Sequence, residues 1–319
     1  MLNIYCAQDG TLKCNNADQT IPNDFVWADM IHPTQAEEKA VENILGIDIP
    51  TREEMHEIEV SSRLYQENGT KFMTAVLIVN GDTDQPEAQP VTFVFDNHHL
   101  VTIRYTEPKS FDAFISRAKR PGNNCSSAET TLLGIIETVV DRAADHMERL
   151  VHDVDNLSRD IFRKPGSAAA KEKDFQDVLR GLGSRADLIS KVNESLVSIG
   201  RLVTFLAQSL EISDSRLRAD TLNQDVHSLI DHTSFLSDKI TFLLSATLGM
   251  INIEQNSIIK IFTVAAVGFL PPTLVASIYG MNFDLMPELK WDLGYLWALG
   301  LMVMSAIGPF FYFKRRGWL

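Results

Sequence analysis

Hydrophobic residues follow three patterns along the chain, and each pattern predicts a different kind of structure. Up to about residue 120, short β-rich runs alternate with stretches of helical spacing. From residue 126 to residue 210, apolar residues recur at the three- and four-residue intervals typical of long helices. Beyond residue 213 the helical spacing continues into two strongly apolar runs. We therefore expect an α/β domain, then a helical hairpin, then a long helix that enters a membrane.

The first pattern predicts a compact α/β domain. Thr34 precedes a helix expected to reach residue 45, and Glu37 stands at the position that completes a capping box. A second helix is expected over residues 110–120. Asn68-Gly69 and Asp96-Asn97 fall where hairpin turns are expected. The β-rich runs that predict strands are residues 25–29, 61–65, 72–79, 91–95 and 100–105.

The third long helix is expected to start near Ser213 and has no obvious end, because proline is absent between Gly166 and Leu270. If it continues to Ile278, it is about 100 Å long at 1.5 Å per residue. Its apolar positions form a heptad a/d seam, which requires a partner helix. The seam residues are Leu222, Val226, Leu229, Thr233, Leu236, Ile240, Leu243 and Thr247.

Two apolar runs, residues 258–279 and 293–313, are each close to the ~20 residues that cross a bilayer. Lys260 is the only charged residue in the first run, and the second run contains none. Two crossings put both termini on one side, and Lys314-Arg315-Arg316 places that side in the cytoplasm by the positive-inside rule. The connector then faces outward.

These patterns predict an α+β membrane protein with a long stalk helix that continues into the first of two C-terminal crossings. The expected parts are a cytosolic α/β domain (1–122), a cytosolic helical hairpin (123–212), a stalk helix (213–256), a first transmembrane helix (257–280), a periplasmic loop (281–292), a second transmembrane helix (293–313) and a basic cytosolic tail (314–319).

Composition excludes several classes of function. The 319 residues carry a formal net charge of -13, which argues against a nucleic-acid binder. Three cysteines without a CxxC spacing argue against a disulfide scaffold or a structural zinc site. The first twenty residues lack a signal peptide's pattern, so we expect the C-terminal runs to direct insertion. No nucleophile–base pair or nucleotide loop is evident, so we expect neither an enzyme nor an organic cofactor.

One acidic and histidine-containing helix also suggests a zinc site. His146, Glu148, His152, Asp153 and Asp155 lie within ten residues of each other on the first hairpin helix. Their spacing is not His-Glu-x-x-His, and exposed helices often carry such residues. We therefore favour an ordinary helix surface.

The first apolar run carries a row of small and polar residues at alternating three- and four-residue steps. Such a row is consistent with simple helix packing or with a water-lined path. Pro271 and Pro272 free the carbonyls of Val267 and Gly268, which are tolerated where they face protein or water. Neither run contains an acidic residue, so a proton relay is not indicated. The row consists of Asn256, Ile259, Thr263, Ala266, Leu270, Thr273, Ser277 and Gly280.

Asn282 lies two residues beyond Gly280, the last residue of this row. An asparagine at a helix end can serve as a C-cap. It can also contribute a neutral amide oxygen to a ring that recognises hydrated magnesium without removing its water.

Two motifs around this asparagine resemble a known family. Tyr279-Gly280-Met281-Asn282-Phe283 followed by Met286-Pro287-Glu288-Leu289 resembles the signature of the CorA family of magnesium channels. The ending Tyr-Phe-Lys-Arg-Arg-Gly-Trp-Leu is similar to that of bacterial members. The likeness extends to the whole layout, from the cytosolic α/β domain to the two crossings.

The resemblance implies a homopentameric funnel in the bacterial inner membrane that transports magnesium, and also cobalt and nickel. It implies that Gly280, Met281 and Asn282 form the selectivity filter, that Tyr279 supports it, and that Glu288 lies in the periplasmic loop. Phe262 replaces an aliphatic residue that is more usual in the constriction. The implied pore-lining and gate residues are Asn256, Ile259, Phe262, Thr263, Ala266, Leu270, Thr273 and Ser277.

The family is gated by magnesium held between neighbouring cytosolic domains, which implies acidic sites here. A solvated helix face is the better explanation for most acidic residues of the stalk helix, and we single out only Asp220 and Asp225 as candidates. Overall we expect a magnesium channel whose partners are its own copies, divalent cations and membrane lipid. The alternatives are a zinc or other transition-metal transporter of the same superfamily and a membrane-anchored coiled-coil scaffold without transport.

Overall fold

The chain forms two compact units, Met1–Leu244 and Ser245–Leu319, and the division between them falls inside one helix. The structure is a computed structural model that describes residues 1–8, 10–16, 21–22, 24–83, 85–120, 125–162, 175–210, 213–281 and 286–316.

The first unit is built on a mixed seven-stranded sheet with the order β2-β1-β3-β7-β6-β5-β4. Every neighbouring pair is antiparallel except β3 and β7, which run parallel because the helices and hairpins between them return the chain to the same end. The strands are β1 (Leu2–Gln8), β2 (Thr11–Asn16), β3 (Trp27–Ile31), β4 (Leu64–Glu67), β5 (Thr70–Val79), β6 (Glu87–Phe95) and β7 (Leu100–Arg104).

Helices cover both faces of this sheet. On one face, Val41 and Met55 from two short helices join sheet residues such as Met30 in an apolar cluster. On the other face, Trp27 contacts the rings of Phe111 and Phe114. The helices are α1 (Gln35–Leu45), α2 (Arg52–Met55), α3 (Val60–Arg63), α4 (Lys109–Ala118), α5 (Ala128–Phe162), α6 (Phe175–Ala207), α7 (Ser213–Tyr279) and α8 (Gly294–Arg315), with a 3-10 helix at Pro287–Lys290.

Most of the predicted elements are present. The capping box of Thr34 and Glu37 is confirmed, and the Asn68-Gly69 turn has the two positive φ angles, 49° and 89°, of a type I′ hairpin. The predicted strand over residues 61–65 is wrong, because α3 occupies Val60–Arg63 and the strand starts at Leu64. Strands β1 and β2 and the short helix α2 were not predicted. Residues 163–174 of the predicted helical hairpin lie outside the described residues.

The heptad seam of α7 finds its partner within the same chain. Up to Leu243 its residues are buried, apart from the half-buried Leu229, and they pack against the α5–α6 hairpin. Val226 packs so closely on α6 that a Cβ added at Gly200 would lie 3.2 Å from its Cγ1. The Thr233 hydroxyl donates to the Asn193 side-chain carbonyl at 2.9 Å. The seam is therefore already covered by the hairpin of its own chain.

A buried ion pair joins the two parallel strands. Arg104 donates two hydrogen bonds, each 2.9 Å long, to the two carboxylate oxygens of Asp29. Thr102 donates to the same carboxylate at 2.8 Å and accepts from the indole of Trp27 at 3.0 Å. Asp29 is fully buried and Arg104 is 2% exposed. A one-residue slip of β3 against β7 would separate the two charges and leave each buried without its partner. The network therefore fixes the parallel register.

We expect Arg104→Met to destabilise the fold by about 3–5 kcal/mol, because Asp29 would remain buried and unpaired. The matched control is Arg180→Met, which removes the exposed i,i+3 partner of Asp177 and should cost under about 1 kcal/mol. Thermal denaturation of the detergent-solubilised protein, followed by circular dichroism, measures both. Equal effects of the two substitutions would contradict the role given to the buried pair.

Candidate functional site

The second unit presents the polar row predicted from the sequence on one helix. From Asn256 to Ser277 the row lies within α7, and at about 100° per residue it covers an arc of roughly 120°. Phe262 falls on the same arc. Thr263 is half-buried and the other members are exposed, as are the large apolar residues Ile259, Phe262 and Leu270 at 60%, 71% and 65%. One copy of the chain therefore leaves this row without a partner.

α7 and α8 are both long and apolar enough to cross a membrane, and almost none of their apolar stretches is buried. A soluble protein would cover such surfaces in its core. Their exposure is consistent with two helices that cross a membrane.

The hydroxyl groups in the row are held by the helix itself. Thr263 donates to the carbonyl of Ile259, and Thr273 donates to the carbonyl of Phe269, both at 2.7 Å. Because the proton of each hydroxyl is used in the helix, the oxygen presents only lone pairs to the outside. The row therefore offers acceptors, which suit a cation and its water molecules.

Pro271 and Pro272 lie inside α7, and the helix continues through both to Tyr279. Neither proline has a backbone N–H, so the carbonyls four residues earlier, at Val267 and Gly268, lose their helical donors. Backbone carbonyls at membrane depth require protein or water as a partner. The prolines thus leave two backbone acceptors within the apolar segment of α7, and the one at Val267 lies close to the row.

The last turn of α7 is closely packed against the backbone of the residues that follow it. The N–H of Gly280 donates to the carbonyl of Ala276 at 2.9 Å, and that of Met281 donates to Ile278 at 3.2 Å. A Cβ at Gly280 would lie 3.1 Å from the Ala276 oxygen, a contact tighter than side chains normally make. Tyr279 is half-buried, and Met281 is 47% exposed. The predicted filter residue Asn282 lies outside the described residues, and Glu288 belongs to the 3-10 helix Pro287–Lys290.

The regulatory candidates Asp220 and Asp225 lie on the other unit. Both are exposed on α7, and five residues of helix separate them by roughly 140°, so they do not share a face. Asp225 instead lies near Asp141 on α5. Burial, together with repulsion from Glu137, Asp145 and Asp225, raises the pKa of the Asp141 carboxyl against the attraction of Arg117. Sequence reasoning missed Asp141 because it is distant from Asp225 in the chain.

Among the described residues, no three metal-ligating side chains are grouped so that they could hold a metal ion. The helix surface expected for this part of α5 is wrong for one of its five residues. His146 is buried, 5% exposed, and its ring packs on Gly81, where a Cβ would approach it to 2.5 Å. Its Nδ1 accepts a hydrogen bond from Arg149 at 2.6 Å. An arginine can only donate, so this histidine is neutral and carries its proton on Nε2.

A charge cluster around Asp82 surrounds this histidine. Asp82, in the β5–β6 loop, accepts from Lys109 at 2.9 Å and from Arg142 at 2.7 Å, and it also pairs with Arg149. The hydrogen bond from Lys109 is the main cause that holds the pKa of the Asp82 carboxyl well below its usual range, with Arg149 and Arg142 contributing. These contacts fasten the β5–β6 loop to α4 and α5.

We expect stability to fall as the pH drops below about 6.5, the unperturbed pKa of histidine. Burial first, and then Arg149 and Arg142, lower the pKa of His146 in the folded state against the opposing charges of Asp82 and Asp145. As the pH falls, His146 therefore takes up a proton in the unfolded chain before it does so in the folded protein. Acid favours unfolding over this interval and adds no further effect once the pH is below the pKa of His146 in the folded state. Melting temperatures between pH 8 and pH 5 measure the effect.

The variant His146→Gln keeps an acceptor without a titrating ring, so its melting temperature should depend less on pH in this window. The control His227→Gln removes an exposed histidine on α7 and should leave the wild-type dependence intact. An unchanged pH dependence in His146→Gln would show that other groups cause the acid sensitivity.

Comparisons with known proteins give one consistent result. A family model described as "CorA-like Mg2+ transporter protein" matches residues 22–315. The chain is 35% identical over 295 residues to the magnesium transport protein CorA of Pectobacterium atrosepticum, with 92% of each chain covered. It is 34% identical over 321 residues to the protein of the same name from Haemophilus influenzae, with 100% of each chain covered.

The fold is similar to that of solved structures from more distant proteins. The complete structure of the CorA magnesium transporter from Methanocaldococcus jannaschii matches with a TM-score of 0.78 and 18% identity, covering 100% of this chain and 99% of the other. The cytoplasmic domain of ZntB from Vibrio parahaemolyticus matches with a TM-score of 0.58 and 10% identity, covering 78% of this chain and 97% of the other. At these identities the likeness establishes the fold alone.

Proposed function

The chain belongs to the CorA-like Mg²⁺ transporter family, and on that premise we propose that it conducts magnesium through a path lined by α7. The family consists of transport proteins, so the chain is a transporter and not an enzyme. The observation that carries the proposal is the exposed row from Asn256 to Ser277 on a helix that is apolar enough to cross a membrane. A row of acceptors at membrane depth suits a hydrated cation.

The path requires several copies of the chain, and we propose a homopentamer. One α7 supplies one wall, because its row has no partner in a single copy. Phe235 and Phe242 on the same helix are 59% and 61% exposed within the first unit, which is unusual for large aromatic residues outside an interface. The membership of the family supports the number five.

We propose that α7 crosses the bacterial inner membrane over residues 257–280 and α8 over residues 293–313, with both termini in the cytoplasm. The part before residue 257 then lies in the cytosol as an α/β domain (1–122), a helical hairpin (123–212) and a stalk helix (213–256). Residues 281–292 form the periplasmic loop with Glu288, and residues 314–319 return to the cytosol. The three consecutive cations at residues 314–316 support this orientation.

Within the path, each part of the row has its own role. Asn256 forms a polar ring at the cytosolic end. Ile259, Phe262 and Leu270 form an apolar constriction that closes by excluding water. Thr273 and Ser277 supply hydroxyl acceptors on the cytosolic side of the outer mouth. The smaller Thr263 and Ala266 leave room between the levels at which the large apolar side chains of all copies meet.

We propose that Gly280, Met281 and Asn282 form the selectivity filter at the outer end, with Tyr279 as its support. An amide oxygen recognises the water shell of magnesium without replacing it, and this shell is costly to remove. Cobalt and nickel ions carry comparable hydration shells and are expected to pass as well. A zinc or other transition-metal transporter is the rival function, and the two relatives at 34–35% identity, which are named for magnesium, favour magnesium over it.

The test of the filter is Asn282→Ala. Loss of one hydrogen bond per copy to the hydrated ion should reduce magnesium influx into proteoliposomes by at least about tenfold. The control Asn43→Ala removes an exposed asparagine of α1 and should leave influx unchanged. Wild-type influx and ion preference in Asn282→Ala would exclude Asn282 from the filter, and a scaffold without transport predicts no magnesium influx from any variant.

Gly280→Ala tests the tight closure of α7. The new Cβ would crowd the Ala276 carbonyl at 3.1 Å, which should displace the filter and lower magnesium influx by roughly fivefold, the effect of about 1 kcal/mol of strain. Gly268→Ala is the matched control on the same helix, since a Cβ there meets no atom within 4 Å. If the two variants transport equally, the close approach at Gly280 has no part in transport.

We propose that magnesium bound between the cytosolic parts of neighbouring copies closes the path, with Asp220 and Asp225 as candidate ligands. Their exposure within one copy supports a role at a contact between copies. Asp220→Lys should leave magnesium influx unrepressed when internal magnesium is high, because the lysine opposes a bridging cation. The control is Asp177→Lys, which makes the same charge change at an exposed residue of α6. Normal repression in Asp220→Lys would rule out this residue.

A further inference from the structure

The cytosolic end of α8 differs from every other part of the second unit because it concentrates positive charge. Lys314, Arg315 and Arg316 are consecutive and exposed. Within the described residues, none of the three has a carboxylate within 4.0 Å, and the Arg316 guanidinium lies over the Tyr312 ring at 5.7 Å. In a chain of net charge -13, this is an uncompensated group of three cations.

The faces of α8 show which side meets lipid. Gly294 and Ala298 are buried, and at about 100° per residue they share an arc of about 140° with the half-buried residues of the helix, which are Leu301, Met302, Ser305, Ala306, Pro309 and Phe313. Counted from Gly294, Lys314 lies opposite this face and Arg315 lies about 40° beyond its edge, while Arg316, the C-cap residue, falls within it. Lys314 shares its side of the helix with large exposed apolar residues, which are Leu296, Leu299, Val303, Met304, Ile307, Phe310 and Phe311.

The length of this outward side fits a bilayer. Tyr295 and Lys314 are nineteen residues apart. At 1.5 Å per residue the distance is about 28 Å, close to the ~30 Å hydrocarbon core. Trp291, Tyr295 and Trp297 are exposed at the other end, at 58%, 77% and 50%, which is the arrangement of an aromatic belt. The three cations therefore stand at the level of the lipid phosphates.

We propose that Lys314, Arg315 and Arg316 form a binding surface for anionic phospholipid headgroups. The inference rests on the proposed membrane crossing of α8. Lipid is the occupant because the side of α8 that carries Lys314 is apolar up to this cation. The headgroup is anionic because three cations that have no carboxylate within 4.0 Å among the described residues attract net negative charge. The helix C-terminus, where the Arg316 N–H already donates to Tyr312 and Phe313, also favours cations.

The test is the shift in melting temperature of the detergent-solubilised full chain when phosphatidylglycerol is added, with phosphatidylcholine as the neutral lipid. Wild type should gain a larger shift from phosphatidylglycerol. The variant Lys314→Gln/Arg315→Gln/Arg316→Gln should lose this difference, since each cation near an anionic surface strengthens binding by about fivefold, or on the order of hundredfold for three. Lys290→Gln, which removes the cation near the opposite end of α8, should keep it.

A charge-preserving variant, Lys314→Arg/Arg315→Lys/Arg316→Lys, should respond as wild type does. Where the triple glutamine variant does not fold, Lys314→Gln and Arg315→Gln should each reduce the response in part. The proposal is overturned if the response to phosphatidylglycerol persists without the three cations, or if inorganic phosphate alone reproduces it. Because lipid binding is read in micelles, its loss is distinguishable from failure of magnesium transport, which is measured separately in proteoliposomes.

Discussion

Polar groups cannot be left facing hydrocarbon, and this constraint determines how α7 is used. The helix carries hydroxyls and a proline-interrupted backbone through a segment that is apolar enough to cross a membrane. One copy of the chain leaves these groups exposed. In the proposed assembly, copies arranged around a water-filled path would satisfy them, and the same arrangement would give a hydrated cation the acceptors that it prefers.

The second constraint is that the heptad seam of α7 is already occupied. The seam packs on the chain's own hairpin, where Thr233 bonds Asn193 and Arg218 forms a double hydrogen bond with Glu137. Contact between copies must therefore use another side of the helix, such as the side that exposes Phe235 and Phe242. A sequence seam shows that a partner exists, but it does not show whether the partner belongs to the same chain.

The long helices and the row on α7 could be predicted from sequence because their periodicity extends over many turns. The strands β1 and β2 could not be predicted, because their polar residues obscure the alternation of apolar and polar positions that marks a strand. The strand predicted over residues 61–65 is wrong at its start, which belongs to α3. The Asp29–Arg104 pair joins positions 75 residues apart, and Asp82 meets three cations from two helices. Such partnerships depend on the tertiary fold, which periodicity does not describe. The proposal that these residues form a selectivity filter rests on the Gly280-Met281-Asn282 motif and its resemblance to a known family.

The most direct test of the central claim is whether the row on α7 faces water in the assembled protein. Single cysteines at Ser277 and Thr263, with Val275 and Val264 as neighbours on the other side of the helix, would be introduced after Cys6, Cys14 and Cys125 are replaced by serine. Magnesium influx is then measured before and after a membrane-impermeant methanethiosulfonate reagent is applied from each side. We predict inhibition at Ser277 and Thr263 and none at Val275 and Val264. Inhibition that does not distinguish the two sides of the helix would contradict the proposed path.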